Sequence, residues 1–412
     1  MAALLGVLMT LDVIEQFGRL WWHKALTYIS VLLVFYLLST AVIAIQDPSN
    51  SWAGRTPLQR ALAIDLRLAV MVFTLVVLVH HLVSIPRSAF VRLLELQLVV
   101  GLLLSLFGLL QVSLQALSNT SITFQPTNEA FQLRNNIFRM GREQIFRASS
   151  VFNEPSYFGF YLVPLLVKAT FAFRHKIYVF GKKWLHISVM IVLLLAFSAN
   201  FTLTAILALA ATVLLVAILS LKSSPKVSLL VISVICVVFS LILLSPIGDF
   251  LLARAERAVG LADLSTLARV FSGYVGVLVF WENPWVGVGP GGFAFHYPSM
   301  GIFVDKELMH TPLNIWLTFL TDVGIVGFIP FACFLWAILS TGWRNRTRDP
   351  LVHIYSWSVI SLLVLLTTVD LWYIDLVWLE LAMLLALSTG PSLFRQTTET
   401  KDSWDNLVPT DN

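Results

Sequence analysis

Three short stretches of the chain hold side chains able to act on a polar, anionic substrate. The first runs Arg147-Ala-Ser-Ser-Val-Phe-Asn153-Glu154-Pro155-Ser-Tyr157-Phe-Gly159. Its arginine offers a planar fork of N–H donors that fits phosphate or carboxylate bidentately, and Glu154 and Tyr157 stand close by in sequence. The same residues also read as plain structure. Pro155 suits the first turn of a helix, Asn153 can cap it, and Glu154 sits near the positive helix end.

The second stretch runs from Arg269 to Gly292. Its centre, Gly273 to Trp285, is apolar and aromatic enough to lie on or dip into a membrane interface, with Trp281 and Trp285 as anchors. Gly287, Gly289, Gly291 and Gly292 around Pro290 force an irregular turn. They either simply make that turn or let backbone N–H groups approach an anion. A nucleotide fingerprint is excluded, because no strand–turn–helix with a later acid follows. The third stretch is Met309-His310-Thr-Pro-Leu-Asn314-Ile-Trp316. His310 can exchange a proton near neutral pH or serve as a hydrogen-bond partner at a helix start. His296 and Tyr297 are weaker competitors.

The elements that must hold these stretches are membrane spans. Of 412 residues, 58% are hydrophobic and 12% are charged, against ~45–50% and about 25% in soluble domains. Too little polar surface remains to cover a soluble body, so a soluble enzyme, a disordered chain and a disulfide scaffold are excluded. Cys236 and Cys333 lie in apolar runs, which argues against a disulfide framework or a zinc cluster. The net charge of +4 is scattered between apolar runs and does not point to nucleic acid. Ala2 to Leu11 lacks a basic flank and a cleavage site, so it does not read as a signal peptide.

A span needs roughly 20 mostly apolar residues. Candidates are 27–46, 63–83, 93–117, 155–173, 227–245, 312–340, 352–369 and 372–390, with a tight hairpin, 185–200 and 203–221, broken at Ser198 to Thr204. Residues 1–14 form a short further candidate. The fold expected is an all-α integral membrane protein with about 10–12 spans and two long loops. Residues 1–390 form one polytopic domain, 118–154 and 246–311 are the long loops, and 391–412 is a polar tail.

Orientation follows the basic residues. Lys24, Lys176, Lys182, Lys183, Lys222, Lys226 and Lys401 fall on one side with Arg344, Arg346 and Arg348, and that side is read as the cytoplasm. Only Lys306 falls opposite. Arginine behaves differently: Arg55, Arg60, Arg134, Arg139, Arg142, Arg147, Arg254, Arg257 and Arg269 map to the outer face. The set either solvates the loops and pairs with Glu129, Glu143, Glu256 and Asp263, or serves an anionic ligand. Within or beside spans, Asp65, Arg67, Glu95, Lys168, Asp322 and Asp370 are ionisable and costly in lipid. Most lie near span ends, where they could snorkel.

In order, these segments resemble the bacterial O-antigen polymerase and O-antigen ligase family of polytopic membrane glycosyltransferases. The resemblance is carried by Arg147 to Gly159, by Arg269 through Asn283-Pro-Trp-Val-Gly-Val-Gly289, and by His310 through Asp322-Val-Gly324-Ile-Val-Gly327. The polar break Ser198 to Thr204 is similar to the family's hairpin, with Ala199-Asn200 where the family has Ser-Arg. Asp322 stands where Glu is commoner. The wording Phe-Asn-Glu-Pro-Ser-Tyr leans toward polymerases of O-antigen, capsule or exopolysaccharide.

The resemblance implies a reaction at the outer face of the cytoplasmic (inner) membrane. A glycan on polyprenyl diphosphate is the donor, and a hydroxyl of a second glycan is the acceptor. It implies diphosphate contacts from Arg147 and Arg269, with Arg254 and Arg257 weaker, and Tyr157 positioning sugar or phosphate. His310 is the implied general base, with Glu154 second. No cofactor or metal is expected, and a chain-length regulator is a candidate partner. A ligase moving a finished glycan to a lipid core or protein differs only in acceptor. A transporter of lipid-linked sugars would favour midplane charges, short loops and internal repeats, whereas here the polar chemistry gathers in long outer loops.

Overall fold

The computed structural model describes residues 23–46, 51, 54–118, 137–140, 143–152, 154–220, 264–296 and 311–389. Among them the chain forms eleven α-helices and one small β-hairpin, an all-α polytopic architecture. Helices α1 (Lys24–Gln46), α2 (Pro57–Ser84) and α3 (Arg87–Ser118) come first. The hairpin of β1 (Ile137–Met140) and β2 (Glu143–Phe146) pairs Ile137 with Phe146 antiparallel. Then follow α4 (Pro155–Arg174), α5 (Lys183–Asn200), α6 (Leu203–Ser220), α7 (Leu264–Glu282), the short α8 (Phe293–His296), α9 (Ile315–Asn345), α10 (Pro350–Leu366) and α11 (Asp375–Thr389).

Helices α1 to α5 and α9 are long and apolar enough to cross a bilayer, and α6 and α10 are shorter apolar helices. The tight hairpin expected at 185–221 is α5 and α6, joined through Phe201 in the left-handed region (φ 49°). The apolar segment Gly273 to Trp285 falls mostly within α7. The candidate span 227–245 and most of the loop 246–311 lie outside the described residues.

Helix starts are fixed by polar caps. Thr56 accepts from the backbone of Gln59 while Gln59 bonds back to Thr56, and Pro57 occupies the first turn. Asn314 accepts from the N–H groups of Trp316 and Leu317, opening α9. Asp349 does the same for Leu351 and Val352 at α10 and also pairs with Arg87. Glu154 takes the N-cap position of α4, the place expected for Asn153, and makes no side-chain cap bond. Its carboxylate instead accepts from the Ser156 hydroxyl at 2.9 Å.

Helix α9 is the centre of the assembly, packed against α1, α7, α10 and α11, while α4 packs on α10, α2 on α11 and α3 on α5. The outer faces of α1 and α3 carry exposed Val34, Leu37, Leu38, Leu103 and Leu106, suited to lipid. Lys168 does not snorkel. It is 1% exposed and pairs with Glu380 of α11, itself 0% exposed. Lys168 also donates to Gln97 at 2.9 Å, Tyr355 donates to Gln97 at 3.1 Å, and Ser358 donates to Glu380 at 2.8 Å. The network ties α3, α4, α10 and α11 together with its charges satisfied, which is the condition for such a pair to survive in a low dielectric.

Candidate active site at one end of the bundle

A break in α9 builds the site. Gly324 lies at φ 62° and ψ −168°, a conformation available essentially to glycine alone. The helix therefore loses its own hydrogen bonds at this point, and the turn after α7 supplies replacements. Val288 and Gly289 donate to the carbonyls of Thr321 and Asp322 at 2.8 and 2.9 Å. Ile325 and Val326 donate to the carbonyls of Pro284 and Trp285 at 2.8 and 3.2 Å. Two glycine-bearing motifs, 283–289 and 322–327, are thus two halves of one joint. Irregular backbone at membrane depth is tolerated where protein satisfies it in this way.

The joint aims a carboxylate. Asp322 is 3% exposed and accepts from the Gly291 N–H at 3.0 Å and from the Tyr36 hydroxyl at 3.2 Å. The glycine-rich turn does offer an N–H group to an acidic side chain, and that side chain is the chain's own Asp322.

Beside Asp322 opens a cavity of about 300 Å³. Arg55, Arg60 and Arg67 line it from α2 and the residues before it. Asp322 and Thr318 line it from α9, Thr311 and Pro312 from the residues just before α9, and Asp370, Trp372 and Tyr373 from the loop between α10 and α11. The hydroxyls of Thr311 and Thr318 stand beside the Asp370 carboxyl, and burial pushes that carboxyl up to about 6. The Arg67 guanidinium stacks 4.7 Å over the Tyr373 ring.

Tyr373 connects the cavity to the residues chosen from the sequence. The Tyr157 hydroxyl donates to the Tyr373 hydroxyl. Glu154 and Arg269 are both close enough to act electrostatically on Tyr157. Arg269 donates to the Thr368 carbonyl, and Asn314 to the Thr367 carbonyl at 2.7 Å, so the same loop carries Asp370 and anchors Arg269. Burial, and then the nearby Asp370 charge, push the Tyr373 hydroxyl above its usual range.

Arg147 is half-buried after β2 and is not among the residues lining the cavity. Its position is set by Ala148, whose N–H donates to the Ala199 carbonyl and whose carbonyl accepts from Asn200 at 2.8 Å. Asn200 also donates to the Pro155 carbonyl, so it clasps the first motif to the hairpin. Gly159 permits this close approach, because a Cβ there would stand 2.8 Å from Asn200 and Ala205.

Arg254, Arg257 and His310 lie outside the described residues, as does Asn153. Thr311, next after His310 in the chain, is in the cavity wall. Sequence reasoning gave Arg60, Arg67, Asp370 and Tyr373 no role at the site. Two signals pointed to them: Arg60 belongs to the arginine excess, and Arg67 and Asp370 are ionisable groups in or beside spans. Asp65, two residues from Arg67, faces elsewhere and is buried near Thr40 of α1. Among the described residues no group of three or more His, Cys, Asp or Glu is placed to hold a metal ion.

Fold and site together define a polytopic membrane protein with arginines, buried carboxyls and paired tyrosines gathered at one end. Residues 188–332 match the O-antigen ligase family model (Wzy_C). The match covers most of α5, then α6, α7, the joint and the first half of α9, and it supports membership of the O-antigen ligase and polymerase family. No curated protein matches the chain.

Proposed function

We propose that this chain polymerises a surface polysaccharide, O-antigen, capsule or exopolysaccharide, from oligosaccharide repeat units carried on polyprenyl diphosphate. The reaction takes place at the outer face of the cytoplasmic membrane. The observation that carries the reading is the convergence of Arg269, Glu154 and Tyr157 beside an arginine-lined cavity, in a chain with an O-antigen ligase family match. The lysine-rich opposite end, on the positive-inside rule, supports an extracytoplasmic site.

In this reading the acceptor hydroxyl oxygen attacks the anomeric carbon of the donor glycan. A new glycosidic C–O bond forms, the bond to the diphosphate breaks, and the lipid diphosphate leaves with the electron pair. The leaving group is multiply charged, so fixed cationic donors aimed at it supply most of the catalysis. Arg269 and Arg147 are assigned to the diphosphate, with Arg254 and Arg257 in lesser roles, and Tyr157 positions sugar or phosphate. His310 takes the hydroxyl proton, with Glu154 as the second candidate. No divalent ion is required, and the purified reaction should keep running in EDTA.

A second reading follows from the family description itself. A ligase would move a glycan from polyprenyl diphosphate to a lipid core or a protein through the same chemistry. Purified protein given one lipid-linked repeat unit separates the two. A ladder of products supports the polymerase. No product until a different acceptor is added supports the ligase, and no product under either condition refutes both.

A further inference from the structure

We propose that the cavity between α2, the start of α9 and the α10–α11 loop is a saccharide subsite selective for a sugar bearing a carboxylate, of the uronic acid class. The inference rests on the glycosyl-transfer reading above and names a substrate feature that reading leaves open.

Four observations lead there. The cavity holds about 300 Å³, the low end of small-ligand sites and room for a short saccharide. Its wall presents three guanidinium groups, Arg55, Arg60 and Arg67, against two carboxyl groups, Asp322 and Asp370. Guanidinium groups outnumber carboxyl groups, so cationic charge is in excess, which suits an anionic ligand. A diphosphate would offer the carboxyl groups no hydrogen to accept. Next, the buried Oδ1 of Asp370 has no hydrogen-bond partner among the described residues. Leaving a buried acceptor unsatisfied is costly, so a ligand with hydroxyl donors is favoured there. Finally, Trp372 adds apolar surface to the same wall, beside the Arg67–Tyr373 stack. A ligand with both an anionic group for the arginine forks and hydroxyls for Asp370 is an acidic sugar.

The subsite is continuous with the proposed diphosphate site through the Tyr157–Tyr373 hydrogen bond. It therefore stands where the sugar next to the reacting bond, on the donor or acceptor side, would lie.

The test is ligand-observed saturation-transfer NMR on the full chain in detergent, using methyl β-glucuronide and its neutral counterpart, methyl β-glucoside. The glucuronide should give a signal at least about fivefold stronger. Arg67→Gln should reduce it to the glucoside level, whereas Arg67→Lys keeps part of it. Equal signals from the two glycosides overturn the proposal, and this wild-type comparison stands even where Arg67→Gln fails to fold. Displacement of the glucuronide by inorganic pyrophosphate, with pyrophosphate binding itself lost in Arg67→Gln, also overturns it, by assigning the cavity to phosphate. No transfer step is needed for this readout. A failed product ladder and a failed glucuronide preference are therefore separate results.

Discussion

Gly324→Ala should disable the protein through its backbone. At φ 62° and ψ −168°, an alanine carries about 1–3 kcal/mol of conformational strain. The added Cβ would lie 2.3 Å from the carbonyl carbon and 2.4 Å from the carbonyl oxygen of Trp285, backbone atoms that cannot rotate away. Relief requires lifting the 284–289 turn off α9. That move breaks the bonds from Val288, Gly289, Ile325 and Val326, each worth about 0.5–1.5 kcal/mol net. The strain plus a partial loss of those four bonds amounts to roughly 3–6 kcal/mol. Because the same turn carries Gly291, Asp322 loses its N–H partner, and the cavity wall moves. The assay is thermal unfolding in detergent alongside polymer yield, with Gly273→Ala as the control. Gly273 sits in α7 with nothing within 4 Å of an added Cβ, so that variant should be neutral or slightly stabilised. A Gly324→Ala protein with unchanged melting temperature and activity would refute the joint.

Other outcomes follow from the same structure. Arg269→Ala and Arg147→Ala should each abolish polymer while insertion and melting temperature hold; normal polymer length and yield in both would remove the diphosphate assignment. Glu380→Ala leaves Lys168 charged and buried, and stability should fall by about 3–5 kcal/mol, measured as a lower melting temperature; Lys168→Met with Glu380→Met should recover most of it.

Asp370 supplies a pH test. Its folded pKa near 6 stands above its unfolded value of about 3.9. Its stabilising contribution is therefore full below about pH 4 and lost as pH rises through 6. Asp370→Asn should raise the melting temperature at pH 7.5 relative to wild type, through a gain in stability on the order of 2–3 kcal/mol at most, and should do little at pH 4. Asp370 faces Arg67, the hydroxyls of Thr311 and Thr318, and Tyr373, and Asp322 shares the cavity. A pH-independent difference between variant and wild type would show that another of these groups dominates.

Much of this was legible in the chain because hydropathy period and length act locally. A run of apolar residues must become a helix in lipid whatever surrounds it, so α1 to α6 and α9 to α11 lie close to the expected spans. The Pro155 start, the break before Leu203 and the irregular glycine turn were equally readable. Side-chain direction was not. Lys168 sits inside a span, where both snorkelling and pairing satisfy a charge, and only the presence of Glu380 on a neighbouring helix chooses between them.

By itself, the sequence determined a polytopic membrane body, its charge asymmetry and the three motifs at the arginine-rich end. Tertiary structure decided which residues meet. Asp322 and the turn at 283–289 read as separate features until α9 breaks at Gly324 and the turn repairs it. Arg67 and Asp370 are hundreds of residues apart in the chain, yet α2 and the α10–α11 loop place both on one cavity wall. Spans are set by the transfer of each segment from water to lipid, a property of local composition. A site is set by the packing of one span against another, and no local composition encodes that.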